Sequence, residues 1–325
     1  MKITILYSDL SAESGKDEQD VLVQVEAVRK SLLELEHETT ILPMTLDLHK
    51  AEADLKRIKP DLVFNLVESL AGTGRFIHFA PALLEYLSIP FTGSGSESLY
   101  VTTGKILSKE RLRYAGISTP DWMDGTRLNG SDGSFEPPYI IKPAWEDASV
   151  GLDDASIVYT REQCTKVFQE KTDRYGKCFV ESFIDGREFN VSILEGEGWI
   201  QVLPAAEILF EGFQADKPRI VGYNAKWETG SFEYRNTPRN FDFPANQSAL
   251  IGRLDDISRR CWDTFNLRGY ARIDFRIDRD SKPWVIEINA NPCISPDAGF
   301  VAASERAGIS YDRMIERILE STSLS

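Results

Sequence analysis

GYARIDFRID, residues 269–278, and PWVIEINANP, residues 283–292, read as two strands joined by the turn-forming stretch Arg279–Lys282. Side chains alternate across a strand, so Arg272 and Asp274 share one face while Ile273, Phe275 and Ile277 share the other. In the same way Glu287 and Asn289 lie opposite Ile286 and Ile288. Paired as a hairpin, the two runs bring four polar groups to one surface. Asp274, Glu287 and Asn289 offer only hard oxygen ligands, the type Mg2+ takes together with substrate phosphates. Arg272 adds a fixed positive fork, suited to charge building on a phosphoryl group or an oxyanion. The plainer reading is a solvated hairpin face. Asn at a strand centre beside two acids fits β structure poorly and favours a site.

Upstream, IKPAWEDASVGL (residues 141–152) ends a β-branched strand at Lys142 and continues as a loop of small residues through Ala148, Ser149 and Gly151. Such a loop can fold over phosphates and donate backbone N–H groups, although an ordinary surface turn has the same composition. Neither GxxxxGK[ST] nor GxGxxG is present. Lys105, in a helical segment, gains meaning only in combination with these residues. In CFVESFIDGREFNVSI (residues 178–193), Glu181 and Glu188 flank a turn, where carboxylates can accept from an adenine amino group and from ribose hydroxyls. Two exposed acids would look the same.

The rest of the chain supplies the frame. A strand at Ile3–Tyr7 precedes a helix over Asp20–Glu36, with Val21, Val25, Val28, Leu32 and Leu35 on one stripe. ETTILPM, ADLKRI, DLVFNLV and PALLEYL continue the alternation of strand and helix, which predicts a parallel sheet covered by helices. IPFTGSG (residues 89–95) reads as a further strand at a domain boundary, and residues 96–116 as helix. A small α+β unit follows, with a strand at Tyr139–Ile141, a helix near Glu162–Lys171 and a strand in CFVESFI. Beyond Arg187 come short strands, a helix over Ser248–Phe265, the hairpin and a closing helix near Tyr311–Leu319. The polar stretch Phe210–Phe243 is long for a plain loop and reads as a mobile flap over a cleft. The expected divisions are 1–93, 94–185 and 186–325.

At 325 residues the chain exceeds the usual size of one hydrophobic core, so packed subdomains with a cleft between them are expected. Its 42% hydrophobic and 27% charged residues are those of an ordinary globular protein. A formal charge of -14 opposes nucleic acid and anionic membrane surfaces. A local group of Lys and Arg still permits a nucleotide, because distant surface charge is screened. Cys164, Cys178, Cys261 and Cys293 lack CxxC spacing and read as reduced thiols. The opening strand is too short for a signal-peptide core, and no run of some 18 apolar residues spans a bilayer. A cytoplasmic enzyme is the expectation.

In this order, SAE (residues 11–13), PALLEYLSIPFTGSG, the helix holding Lys105, IKP with SVGL, VESFIDGREFNVSI, NAKW, ARIDF and IEINANP resemble the ATP-grasp superfamily. The resemblance is strongest to the D-alanine-D-alanine ligase family and covers nearly the whole chain. It implies an α/β and α+β fold of three parts, with two α+β subdomains gripping ATP. It further implies that Asp274, Glu287 and Asn289 hold two Mg2+ or Mn2+ ions, while Lys105 and Lys142 contact the phosphates. Glu181, Phe183 and Ile184 would hold adenine, Glu188 ribose, and Lys226 would close over the phosphates. Arg272 would stabilise acyl transfer. The implied reaction phosphorylates one amino acid's carboxylate and passes the acyl group to the amine of another, with a homodimer as the implied assembly. A scaffold that binds ATP without turnover, or a phosphotransferase stopping at the acyl phosphate, would keep many of the same residues.

The resemblance weakens where amino-acid substrates belong. The family's Glu-Ser-Tyr group appears as Glu13, Ala148 and Trp227, with Ser149 beside the changed position. An indole donates but cannot accept, so the flap needs a different latch. Ala298 and Gly299 stand in place of a Ser-Leu pair, and Val67-Glu68 in place of His-Gly. Glu68 is thereby available to grip a substrate ammonium, although a plain surface acid would look the same.

Overall fold

The computed structural model describes residues 1–10, 15–125, 135–196 and 198–324. It begins with β1 (Lys2–Ser8), α1 (Lys16–Glu34), β2 (Glu38–Met44), α2 (Leu48–Ile58), β3 (Leu62–Leu66) and α3 (Phe79–Leu87). The three strands form a parallel sheet in the order β2-β1-β3. The apolar stripe of α1 explains its docking: Val21, Val25, Val28 and Leu32 are buried against Ile3, Ile5 and Phe64 of the sheet. The helix starts at Lys16, one turn before the apolar stripe begins.

Residues 89–95 do not form the expected strand. Only Phe91 bridges to Val63, with Val63 N–H donating to Pro90 and Thr92 N–H to Val63. Pro90 offers no N–H to a ladder and Gly93 turns the chain at φ +84°, so pairing ends after one bridge. Helical residues then divide into α4 (Ser96–Thr103) and α5 (Lys105–Tyr114) at Gly104. A side chain at Gly104 would strike the Trp145 ring, whose edge lies 2.9 Å from the place a Cβ would take.

The middle part comprises β4 (Trp122–Asp124), β5 (Tyr139–Pro143), β6 (Ile157–Val158), α6 (Arg161–Tyr175) and β7 (Cys178–Ser182). Its antiparallel sheet runs β4-β7-β5-β6, with α6 packed on it through Cys164. Lys142 and Glu181 lie on adjacent strands of this sheet, β5 and β7.

The third part contains β8 (Arg187–Gly196), β9 (Trp199–Val202), β10 (Ala206–Ile208), α7 (Tyr223–Trp227), α8 (Phe232–Arg235) and β11 (Arg239–Asn240). It continues with α9 (Ser248–Thr264), β12 (Tyr270–Ile277), β13 (Pro283–Asn289), α10 (Gly299–Arg306) and α11 (Tyr311–Glu320). Its strands pair in the order β11-β10-β8-β12-β13, with β9 also on β8. One face buries Phe189, Phe275 and Ile277 against Trp262 and Phe265 near the end of α9. Each large side chain buried in this way contributes about 1.5–3 kcal/mol relative to exposure. Phe300 of α10 and Ile315 and Ile318 of α11 share a core with Ile3 and Val28, which joins the third part to the first.

The stretch 210–243, expected as a flap, carries α7, α8 and β11 rather than unbroken loop. Neither α10 nor the three-residue β4 was legible beforehand. The first opens on Gly299, a poor helix former, and the second is too short to show a period.

Gly186, between β7 and β8, approaches the end of β12 so closely that a Cβ there would overlap the carbonyl of Ile277. Gly186→Ala is therefore expected to cost about 1–3 kcal/mol, read as a lower urea midpoint. An unchanged midpoint would show that this backbone approach relaxes freely.

Candidate functional site

The β12–β13 register sets Arg272 opposite Asn289 and Asp274 opposite Glu287, as the alternation required. Arg272 grips Asp274 with both prongs, Nε to Oδ1 at 2.7 Å and Nη2 to Oδ2 at 2.8 Å. Asn190, reaching across from β8, donates to the same carboxylate at 2.8 Å. On the neighbouring strand, Glu287 accepts from Lys105 at 2.7 Å, and Lys105 also donates to Asp147 at 2.8 Å. Burial alone would push the Glu287 carboxyl up, but the charges of Lys105 and Lys226 outweigh it and hold the acid far below the usual carboxylate range. The same two carboxylates pull Lys105 upward against its own burial.

A hard divalent cation needs ionised oxygen ligands. Glu287 meets that requirement, and Asp274 and Asn289 line the same cleft. The described residues contain no group of three or more His, Cys, Asp or Glu side chains able to hold a metal by themselves. Two acids and an amide instead form a partial set, of the kind that phosphate oxygens and water complete.

On the opposing sheet, Lys142 Nζ lies 2.6 Å from Glu181 Oε2, and Lys109 contacts the other oxygen, Oε1. Glu181 is 1% exposed, and the two ammonium groups overcome its burial to hold it below the normal carboxylate range. Burial drives Lys109 down to about 8. After β7 the chain passes Phe183 and Ile184, whose carbonyl at Ile184 accepts from Arg276 at 3.0 Å. Arg276 also pairs with Glu188 at 2.9 Å, and burial pushes Glu188 up against that pull.

Above these groups lies α7. Lys226 lines the cleft and forms no salt bridge with the described residues, and burial, reinforced by Arg272, pulls its pKa down. Trp227 Nε1 donates to the Ala148 carbonyl at 2.9 Å, and Ser149 Oγ donates to the Val221 carbonyl at 2.8 Å. Tyr223 reaches Asp17 at 2.9 Å, and Lys16 pairs with Glu228 at 2.6 Å. Donors on both sides latch the flap to the small-residue loop and to the start of α1. Ala148 and Ser149 sit at φ +54° and +61°, a left-handed conformation that costs roughly 1–2 kcal/mol per residue. Stored backbone strain of this kind gathers at ligand clamps.

A cavity of 790 Å³ collects these groups. Every site residue expected from the sequence lines it, from Glu68 and Lys105 to Ala298 and Gly299, except Glu13. Glu13 lies outside the described residues. A second cavity of 830 Å³ adjoins it and shares Glu68, Glu146, Asp147 and Ala148.

The sequence reading missed Lys109, Asp147, Arg239 and Arg276, which contribute charge in or beside the cleft, and Asn190, which donates to Asp274. Two carried a usable signal. Lys109 follows Lys105 by four residues on one helix face, and Arg276 continues the alternation of Arg272 and Asp274. Asp147 and Arg239 lie outside any periodic pattern. Arg239 is positioned by its bond to the Asp297 carbonyl at 3.2 Å, beside Gly299.

Comparison with known proteins follows the same lines. The family model described as "D-ala D-ala ligase C-terminus" matches residues 111–320. An uncharacterised protein of Sinorhizobium fredii is 33% identical over 303 residues, covering 91% of this chain and 86% of its own length. A D-alanine-D-alanine ligase of Aquifex aeolicus is 30% identical over 323 residues, covering 98% of this chain and all of its own. The crystal structure of a Bacillus anthracis D-alanine-D-alanine ligase complexed with ATP superposes with a TM-score of 0.77 at 23% identity, over 99% of this chain and 97% of that one. That likeness shows a common fold.

Removing one cation from a buried ion pair leaves its partner poorly compensated. Lys109→Met is expected to lower stability by about 3 kcal/mol in urea unfolding. The double variant with Glu181→Gln should recover part of the loss. A single variant within about 0.5 kcal/mol of wild type would mean that Lys142 alone satisfies Glu181.

Proposed function

Because the chain belongs to the D-alanine-D-alanine ligase family, whose members are ATP-dependent enzymes that form amide bonds, we propose a division of labour among its residues and a shift in its substrates. Lys105 and Lys142 bind the ATP phosphates, and Lys226 covers them from α7. Glu181 with the backbone at Phe183 and Ile184 holds adenine, and Glu188 holds ribose. Asp274, Glu287 and Asn289 hold Mg2+, which when bound neutralises the phosphates and polarises the transferred group. The single observation that carries this assignment is the facing of Arg272, Asp274, Glu287 and Asn289 across one strand pair, within reach of Lys105.

The first substrate's carboxylate attacks the γ-phosphoryl group of ATP, the bond from that phosphorus to the β,γ-bridging oxygen breaks, ADP leaves, and the carboxylate becomes an acyl phosphate. The second substrate's amine attacks that acyl carbon, phosphate leaves, and an amide remains. Alignment and charge stabilisation carry such a reaction, which requires no Ser or Cys nucleophile and agrees with a cleft rich in fixed charge. Arg272 remains beside the reacting groups to compensate negative charge in both steps. The Trp227–Ala148 and Ser149–Val221 bonds latch the flap, keeping water from the acyl phosphate.

The altered lining argues for a substrate pair other than two D-alanines. Trp227 fills space where the family has a phenol, Glu68 adds an acid to the cleft, and Arg239 stands beside Gly299 at the start of α10. Amino-acid-like partners keep a carboxylate for Arg239 and Arg272 and an amine for Glu68. Among the described residues no helix is long and apolar enough to cross a membrane. We assign the enzyme to the cytoplasm, where ATP and free amino acids meet.

The test is a screen of D- and L-amino-acid pairs with Mg-ATP, reading phosphate release and confirming the amide by mass spectrometry. A mixed pair is expected to exceed D-alanine alone, and fastest release with D-alanine alone would refute the altered specificity. Replacing Glu287 and Asn289 together with alanine should reduce turnover by about a thousandfold. Unchanged nucleotide consumption would end the assignment of the metal set.

A further inference from the structure

Glu68 stands at the junction of the two cavities and lines both. Its position is built from two directions. Backbone N–H groups of Glu68 and Ser69 both donate to Ser8 Oγ at 3.0 Å, fixing the loop to the end of β1. Gln24, fully buried on α1, donates to Glu68 Oε1 at 2.8 Å while its own carbonyl accepts from Ile294 N–H at 3.0 Å. Beyond β13, Asn291 donates to the Val67 carbonyl at 3.0 Å and accepts from Tyr270 at 2.7 Å. The carboxyl is thus clamped between the first sheet and the strand that carries Glu287 and Asn289.

Two features separate it from a structural acid. Among the described residues nothing donates to Oε2, and no Lys or Arg forms an ion pair with Glu68, whereas Asp147, Glu181, Glu188, Asp274 and Glu287 in the same cleft each have one. The charged groups acting on it most strongly are acids, Asp17 and Asp20 from α1 and Asp147 after β5, with Tyr270 of β12 and Cys293 beyond β13 also facing it and Lys16 and Lys105 lining the same cavity. A group with this setting is completed by a ligand cation with N–H donors, and an amino-acid ammonium has that chemistry.

We propose that Glu68 is the proton acceptor for the second substrate, taking a proton from its ammonium group so that the free amine can attack the acyl phosphate. The proposal rests on the ligase reading above. Glu68 carboxylate removes one proton from the ammonium, leaving the nitrogen lone pair. That pair forms the C–N bond to the acyl carbon, and the C–O bond to phosphate breaks with its electrons on oxygen. The remaining excess proton on nitrogen departs with phosphate, and Glu68 returns its proton to water. Acyl phosphate and ammonium become amide, hydrogen phosphate and one proton. Burial pushes the Glu68 carboxyl up to about 7, a value suited to accepting and releasing a proton near neutrality.

Hydroxylamine provides the discriminating probe, because it is already neutral near about pH 7.5 and needs no proton acceptor. The purified enzyme is given Mg-ATP and its first amino acid, with either the second amino acid or hydroxylamine. Glu68→Gln is expected to keep hydroxamate formation within about twofold while amide kcat at saturating acceptor falls about 100-fold. Its amide rate should then rise about tenfold per pH unit above neutrality as solution base takes over, and Glu68→Asp should restore part of the neutral rate. Amide formation by Glu68→Gln at the wild-type rate would overturn the proposal. An equal fall in both products would do the same, by showing a structural role. Wild-type enzyme that forms neither product refutes the ligase reading itself, an outcome distinct from either.

Discussion

Lys105 Nζ lies 2.8 Å from Asp147 and 2.7 Å from Glu287, and this double ion pair ties together the first residue of α5, the loop after β5 and the strand β13. All three segments face one cleft, and each brings a charge that would be costly to bury alone. Satisfying those charges fixes how the sheets approach. The same solution recurs at Glu181, shared by Lys109 and Lys142, and at Glu188, held by Arg276. A cleft built this way presents cations and carboxylates that are already separated and oriented, the preorganisation that the proposed ATP and Mg2+ sites require.

The flap illustrates how a changed residue is absorbed. An indole at position 227 can only donate, and it does so to the backbone carbonyl of Ala148. Ser149 then donates in the opposite direction to Val221, so the loop and the flap exchange hydrogen bonds without a phenol. Both loop residues are held in a left-handed backbone conformation. Losing the latch would let that strain relax, which couples flap position to loop shape. Ala148 and Trp227 therefore form a compatible pair.

Under the proposed assignment, acid placement separates the nucleotide end of the cleft from the amino-acid end. Glu181 and Glu188 each have a cationic partner, whereas Glu68 has Gln24 and acidic neighbours. Cationic partners oppose the burial penalty on both of the first two acids, outweighing it at Glu181 but not at Glu188. A carboxylate without such a partner responds to what binds. The difference arises from where the chain crosses: α1 and β3 bring Asp20, Gln24 and Glu68 together, and no basic side chain among the described residues pairs with Glu68.

The sequence by itself determined what depends on short spacing. Period-two alternation in residues 270–277 and 283–289 set Arg272, Asp274, Glu287 and Asn289 on one face, and the stripe of α1 marked its buried side. Residue chemistry pointed to hard-oxygen metal ligands, and the ordered motifs indicated the family and, through that resemblance, phosphate-contacting lysines. Tertiary structure alone decided the partners, since Lys105 meets Glu287 across 182 positions and Glu68 meets Gln24 across 44. It also decided that residues 89–95 turn after a single bridge and that Trp227 latches through its N–H. Periodicity reports only which face a side chain takes, whereas a charge or hydrogen bond is satisfied by whatever the folded chain brings within about 3 Å.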